Sequence, residues 1–372
     1  MATRVSKPEF NIRQKLSELD LPVGTHGSQL LKSADAAESF VLTQAGRRNL
    51  IINGNPIIYQ RGLTATDHGV YVYATADRWR TSSNGNYTKT GQWNQEVVLD
   101  QSIPGIGGKV NYIKYTNTSA ATNPTNASWG MNYRVENKDL APYLGKVMTL
   151  SVYMKSDEGI EVRSGFISGT TSSSIPLAVV GDPNTYIALT PEWKRYTWTF
   201  TLGNTLPSSH MDIGLRTQVD KAGSACYTCL QLEEGNVATP FEHRSIAEEL
   251  ALCQRYYIQY GPNNALARFP MMGECTGASV AQYPLQFPVM MRGGTGGVSL
   301  TTNGSATDYQ IYSANQSKPC SSITLAVTMK NPDSGCWGVR VNFNRDTGDL
   351  TPGRAAQGYA ASTSILAFSR DL

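Results

Sequence analysis

Over most of this chain apolar residues recur at every second position. "WGMNYRVE" places Trp129, Met131, Tyr133 and Val135 on one side and polar residues on the other. "MTLSVYMKS" aligns Met148, Leu150, Val152 and Met154, and "WKRYTWTFTL" aligns Tyr196, Trp198, Phe200 and Leu202. A helix, with 3.6 residues per turn, would scatter such a set around its circumference. A strand with one covered face buries it whole. Strands of this kind, separated by turn-rich stretches such as "SSNGN" and "TNTSAATNPTNAS", predict a sandwich of two antiparallel sheets. Only 16% of the residues are charged, while Gly numbers 34 and Tyr 19, a balance that suits β-domains with polar, uncharged surfaces.

Two departures from period two divide the chain. In residues 1–45, "FNIRQKLSELD" has Ile12, Leu16 and Leu19 at helical spacing behind Phe10, with Asn11 placed to cap. The segment is too poor in apolar residues to fold alone and reads as an arm ordered by a neighbour. The second departure is "SIAEELALCQRYYIQYG", residues 245–261, a helix with a Ser245–Glu248 capping box and an apolar stripe of Ile246, Leu250, Cys253 and Tyr257. Gly261 and Pro262 stop it. After it "SITLAVTM" and "CWGVRVNF" return to period two, aligning Ile323, Leu325, Val327 and Met329, then Trp337, Val339, Val341 and Phe343. Residues 262–372 are thus expected to form a second, smaller β-sandwich, giving a mainly β fold.

Side chains that could carry chemistry are scattered. Cys226 and Cys229 stand three apart on a strand, which sends their thiols to opposite faces, and no second cysteine pair completes a zinc set. Glu233–Glu234 and Glu248–Glu249 are adjacent pairs, too close in sequence to flank a glycosidic bond. His210 and Asp212 are near neighbours, but no Gly-x-Ser-x-Gly elbow accompanies them. "PGIGGKV" and "RGGTGGVS" lack the complete phosphate-loop pattern. No catalytic residue, metal or cofactor is expected. A formal charge of +3 argues against nucleic acid as a partner, and no apolar run reaches the roughly 18 residues of a membrane span. The N-terminus lacks an apolar signal-peptide core, which predicts synthesis in a cytoplasm. For sugar binding, Trp93 with Tyr87 in "NGNYTKTGQW" is the best exposed aromatic platform, whereas Trp129, Trp198 and Trp337 fall in the apolar phase of their strands and read as core.

"RRNLIINGNPIIYQRG", "ATADRWR", "GKVMTLSVYMKS", "TPEWKRYTWTF" and "LQLEEGNVATPFEHR", in this order, resemble a recurring jelly-roll module of bacteriophage virion proteins. The module is of the carbohydrate-binding type found in tail fibres and related appendages. "SIAEELALCQRYYIQY" is similar to the helix that follows this module, and "FPVMMRGGTGGVSL" to the start of the terminal sandwich, although "GGTGG" replaces the usual Pro-Thr turn. "GTHGSQLLKSADAAESFVLTQAGRRN" resembles the leader of marine and cyanobacterial phage structural proteins. Trp79 and Trp193 fall in motifs of the family scaffold. The resemblance implies a docking arm over 1–45, a jelly-roll over 46–244 whose first strand starts at Arg48 beside "CLQLEEG", a connecting helix over 245–261 and a terminal sandwich over 262–372. It further implies a non-enzymatic virion protein of tail-fibre type, made in the host cytoplasm and bound to other virion proteins, whose sandwiches either contact the host surface, with a glycan as one candidate ligand, or dock neighbouring subunits. Trimers are expected, with Ile246, Leu250, Tyr256 and Tyr257 as a candidate three-fold seam, although the stripe equally suits seating the helix on its own sandwich. A capsid decoration or head fibre would share every motif, and a polysaccharide-degrading tailspike is the less favoured alternative.

Overall fold

The computed structural model describes residues 47–66, 72–84, 93–120, 128–163, 166–169, 178–179, 186–207, 210–218, 221–261, 268–292, 298–303, 305–331, 335–360 and 364–370. The chain divides into two units between Arg48 and Asn49. Phe10, Ile12, Leu16 and Leu19 of the expected arm lie outside the described residues, as does Tyr87.

The alternating segments form the sheets they predict, and the fold is mainly β. In the first sandwich a six-stranded antiparallel sheet runs in the order Thr64–Ala65, Trp93–Ser102, Lys109–Asn117, Gly223–Glu234, Val147–Lys155, Lys194–Thr201. The facing sheet runs Tyr186–Ala188, Glu161–Arg163, His210–Gln218, Ser128–Glu136, Arg80–Asn84, with Phe166–Gly169 also pairing His210–Gln218 and Ala178–Val179 beyond it. Between them lies one core in which Trp129, Met131, Tyr133 and Val135 meet Met148, Leu150, Val152 and Met154. The strand Gly223–Glu234 is buried on both faces, because Ile103, Ile106, Trp193 and Phe241 pack over its outer side around Tyr153 and Cys229.

Chain entry into this sandwich differs from expectation. Leu50 N–H donates to Leu232 O (2.9 Å) and Leu230 N–H to Gly54 O (3.0 Å), so residues 49–54 do lie along the closing strand. They form no regular strand, since Asn53 turns at φ 58° and the Asn49 side chain substitutes for ladder partners, donating to Leu230 O and accepting from Leu232 N–H. Among the described residues the first ladder strand is Thr64–Ala65.

The terminal sandwich packs a seven-stranded antiparallel sheet against a three-stranded one. The larger runs Gln316–Pro319, Tyr309–Ser313, Ala355–Ala360, Arg268–Gly277, Val280–Met291, Gly335–Asn344, Ser322–Asn331. The smaller runs Tyr257–Tyr260, Leu366–Ser369, Ser299–Thr302. Phe269, Tyr283, Tyr309 and Phe343 form its aromatic centre.

Three local expectations are corrected. The helix is Ile246–Gln254, capped by the Ser245 hydroxyl accepting from Glu248 N–H, and Tyr257–Tyr260 is a strand paired with Leu366–Ser369. Aromatic and β-branched "YYIQY" prefers the pleated surface to a further helical turn. The helix buries Glu249 and Cys253, while Ile246 is 68% exposed and Leu250 half-buried. Tyr256 and Tyr257 are buried within the chain, so they do not offer a face for a three-fold seam. Trp337, expected in the core, is 46% exposed. Pairing with Ser322–Asn331 jumps from Met329–Gly338 to Lys330–Cys336, which leaves Trp337 as the extra residue of a bulge and reverses the phase of its side chain.

Candidate functional site

Trp93 is not an exposed platform. It opens the strand Trp93–Ser102, is 5% exposed and stacks on Trp129 with ring centroids 6.4 Å apart. The loop-like sequence before it masks the fact that Trp93, Gln95 and Val97 already point inward. Trp79 is wholly buried, and its indole N–H donates to Asn53 O at 2.7 Å. Cys226 and Cys229 do not diverge. The pairing of Gly223–Glu234 with Val147–Lys155 shifts between Thr228 and Gln231, and Cys229 sits at φ 51°. The bulge brings Cys229 into the cluster around Tyr153, on the side Cys226 already occupies opposite Lys155. Burial pushes both thiols up to about 12, the neutral form that metals bind poorly. Among the described residues no three His, Cys, Asp or Glu side chains gather as a metal site requires. Asp212 pairs at 2.9 Å with Arg134, its register partner on the neighbouring strand, and lies 3.5 Å from His210, two residues back on its own strand. Burial alone would raise its pKa; His210 and Arg134 outweigh that and hold it below the ordinary range.

A dense array of buried polar groups lies where the first sandwich meets the helix and terminal sandwich. Glu136 ends the strand Ser128–Glu136 and is 4% exposed. Its Oε2 accepts from Arg255 Nη2 (2.9 Å) and the Tyr256 hydroxyl (3.0 Å), and its Oε1 accepts from Arg292 Nε (3.1 Å). Burial by itself would raise the Glu136 pKa, but the two guanidinium groups and the phenol overcome it and the carboxyl is held low. Burial, opposed by Arg78, pushes the Tyr256 phenol up to about 12, so it stays a donor. Arg78, buried and at φ 72°, lies over the Tyr256 ring at 3.7 Å and reaches the carbonyl of Arg134.

Two further clamps flank this centre. Gln60 Nε2 bridges Asp77 Oδ2 (2.6 Å) and Tyr257 O (2.9 Å), and Arg61 pairs with Asp77 while covering the Tyr257 ring at 3.6 Å. On the helix, Glu249 accepts from Asn53 N–H (2.6 Å) and from Arg244 Nη1 (2.8 Å), which also donates to Ile51 O. Burial raises the Glu249 pKa despite Arg244. The terminal sandwich holds the same linker through Arg292 N–H to Arg255 O (2.8 Å) and Arg370 N–H to Tyr256 O (2.7 Å). This arrangement fixes one module against the other. Sequence reasoning missed Glu136, Arg78, Arg255 and Arg292, because each is one charge in a polar phase. The only cue was Arg255 followed by two tyrosines at the end of the helix.

No protein-family model matches the sequence, and no curated protein does. Among solved structures, a CBM4 carbohydrate-binding module is 16% identical, with 100% of that chain matched over 50% of this one at a TM-score of 0.29. The tandem CBM22-1–CBM22-2 domain of Paenibacillus barcinonensis Xyn10C is 10% identical over 88% of this chain and 99% of that one, TM-score 0.30. A cyclase from Fischerella sp. TAU is 15% identical over 51% of this chain and 98% of that one, TM-score 0.32. Values this low carry neither binding nor catalysis across to this chain.

Proposed function

We propose that this is a non-enzymatic surface-appendage protein in which two β-modules act as one stiff projection. The observation behind this reading is Glu136, a single carboxylate from the first sandwich that gathers Arg255, Tyr256 and Arg292 from the linker and terminal sandwich. A flexible tether would need none of these groups. A buried, fully engaged carboxylate costs desolvation and is worth keeping where orientation matters. The sequence resemblance to phage appendage proteins supplies the setting: residues 1–45 dock on a virion and the sandwiches project toward a host surface or a neighbouring subunit.

The test is small-angle scattering of the protein and of Glu136→Lys, which places a third cation among Arg255 and Arg292. A rigid pair gives a wild-type profile fitted by one conformation and a broader distance distribution for the variant. A wild-type profile already requiring an ensemble of module orientations would end the proposal.

A further inference from the structure

The outer face of the seven-stranded sheet in the terminal sandwich carries a shallow open groove of about 500 Å³. Met272, Tyr312, Ser313, Asn315, Arg354 and Gln357 line it. Strand register explains why these residues meet. Gln357 pairs with Met272 on one side and with Tyr312 on the other, so all three side chains share a face. Tyr359, two positions from Gln357, stacks on Tyr312 with centroids 5.9 Å apart and planes 29° from parallel. Both rings are half-buried, and Met272 is 61% exposed. The wall of the groove is the two-residue hairpin turn Ala314–Asn315, with φ of 55° and 61°. Both values are those of the type I′ turn that two-residue hairpins favour, which gives this wall a defined shape.

Its chemistry favours one kind of ligand. Tyr312 presents an apolar ring, while Gln357 and Asn315 present carboxamides and Arg354 an exposed guanidinium. A carboxamide donates and accepts, matching hydroxyl groups that do the same, and no acidic side chain lines the groove. On the surrounding face Gln282 and Asn342 are register partners on the next strands, Gln286 and Thr324 are exposed, and one exposed carboxylate, Glu274, pairs with Ala355 beside the groove. A ring to stack on, flanked by amides on a wide shallow floor, suits a chain of pyranoses, whose C–H faces are apolar and whose rims are hydroxylated. A peptide strand would look for a free sheet edge, whereas this groove crosses strands that are paired on both sides.

We infer that the terminal sandwich binds oligosaccharide in this groove, with Tyr312 as the stacking platform, Tyr359 backing it, and Gln357, Asn315 and Arg354 contacting hydroxyls. This deepens the surface-contact reading and rests on it, and it assigns the contact to the terminal module instead of the jelly-roll.

The full chain is applied to an array of defined neutral and uronic-acid-containing oligosaccharides of two to six sugars, and hits are titrated by calorimetry. The expected result is at least one hit whose affinity falls tenfold or more in Tyr312→Ala and in Gln357→Ala, with Tyr312→Phe retaining most of it. Thermal melts check folding, and if Tyr312→Ala fails to fold, Gln357→Ala and Arg354→Ala decide. Hits unaffected by these changes would move the sugar site elsewhere and overturn the inference. A blank array would overturn it too, while the scattering test of module rigidity would stand or fall separately.

Discussion

The guanidinium carbon of Arg78 lies 3.7 Å above the centre of the Tyr256 ring. One residue belongs to the first sandwich and the other to the turn after the helix, so this contact joins residues 178 positions apart in the chain. Buried cation–π contacts contribute about 2 kcal/mol, and Arg78 also covers Tyr133 at 5.4 Å. Replacing Arg78 by methionine keeps bulk and removes the cation. Chemical denaturation should show a loss of about 2 kcal/mol, and a change within 0.5 kcal/mol would remove Arg78 from the junction account.

Glu136 contributes to the response to acid. Its folded pKa lies below the unfolded value, so its contribution is fully present above the ordinary glutamate range of about 4.3 and is lost as pH falls through the lower folded value. Glu249, raised by burial, has the opposite sign and partly compensates. The clean measurement is the stability difference between wild type and Glu136→Gln. At pH 7 it should be about 2 kcal/mol, the scale for hydrogen bonds to a charged group, and it should shrink below about pH 4. A difference independent of pH would show that charge at Glu136 is irrelevant.

Trp93 separates core from ligand platform. Removing a buried tryptophan costs about 3–5 kcal/mol, so Trp93→Ala should unfold at markedly lower urea. Sugar binding by its folded fraction should equal that of the wild type.

Gly273 sits where a Cβ would come within 1.9 Å of the Gln282 carbonyl oxygen, and backbone at that distance cannot step aside cheaply. Gly273→Ala should therefore cost about 1–3 kcal/mol, localised to the terminal sandwich. Hydrogen exchange should rise in Arg268–Gly277 and Val280–Met291 and stay unchanged in Ser128–Glu136.

All six cysteines are free and buried. Alkylation at pH 8 should modify few or none in the native protein and all six in denaturant. Rapid native labelling of Cys226 or Cys229 would contradict the burial that raises their pKa.

Much of this architecture could be read from alternation, because burying one face of a strand writes itself into the spacing of Met148, Leu150, Val152 and Met154. The readings failed where a single residue changes phase. The bulge at Trp337 and the shift near Cys229 invert side chains without altering composition. Trp93 was misplaced because its strand begins directly after a polar stretch. The junction was opaque for another reason: Glu136 meets partners 119, 120 and 156 positions away, and nothing local marks them. The groove on the terminal sheet depends likewise on register, which sets Tyr312 beside Gln357 and near Tyr359.

The entry strap of the first sandwich has a mechanical consequence. Asn49–Gly54 runs beside Leu230–Leu232, held by backbone bonds and by the Asn49 carboxamide. Pulling between Asn49 and the helix would load this short seam while the sheets behind it bear little of the tension. The module would behave as a pendant on the load path, and its yield force under stretching would be set by a handful of hydrogen bonds near Asn49.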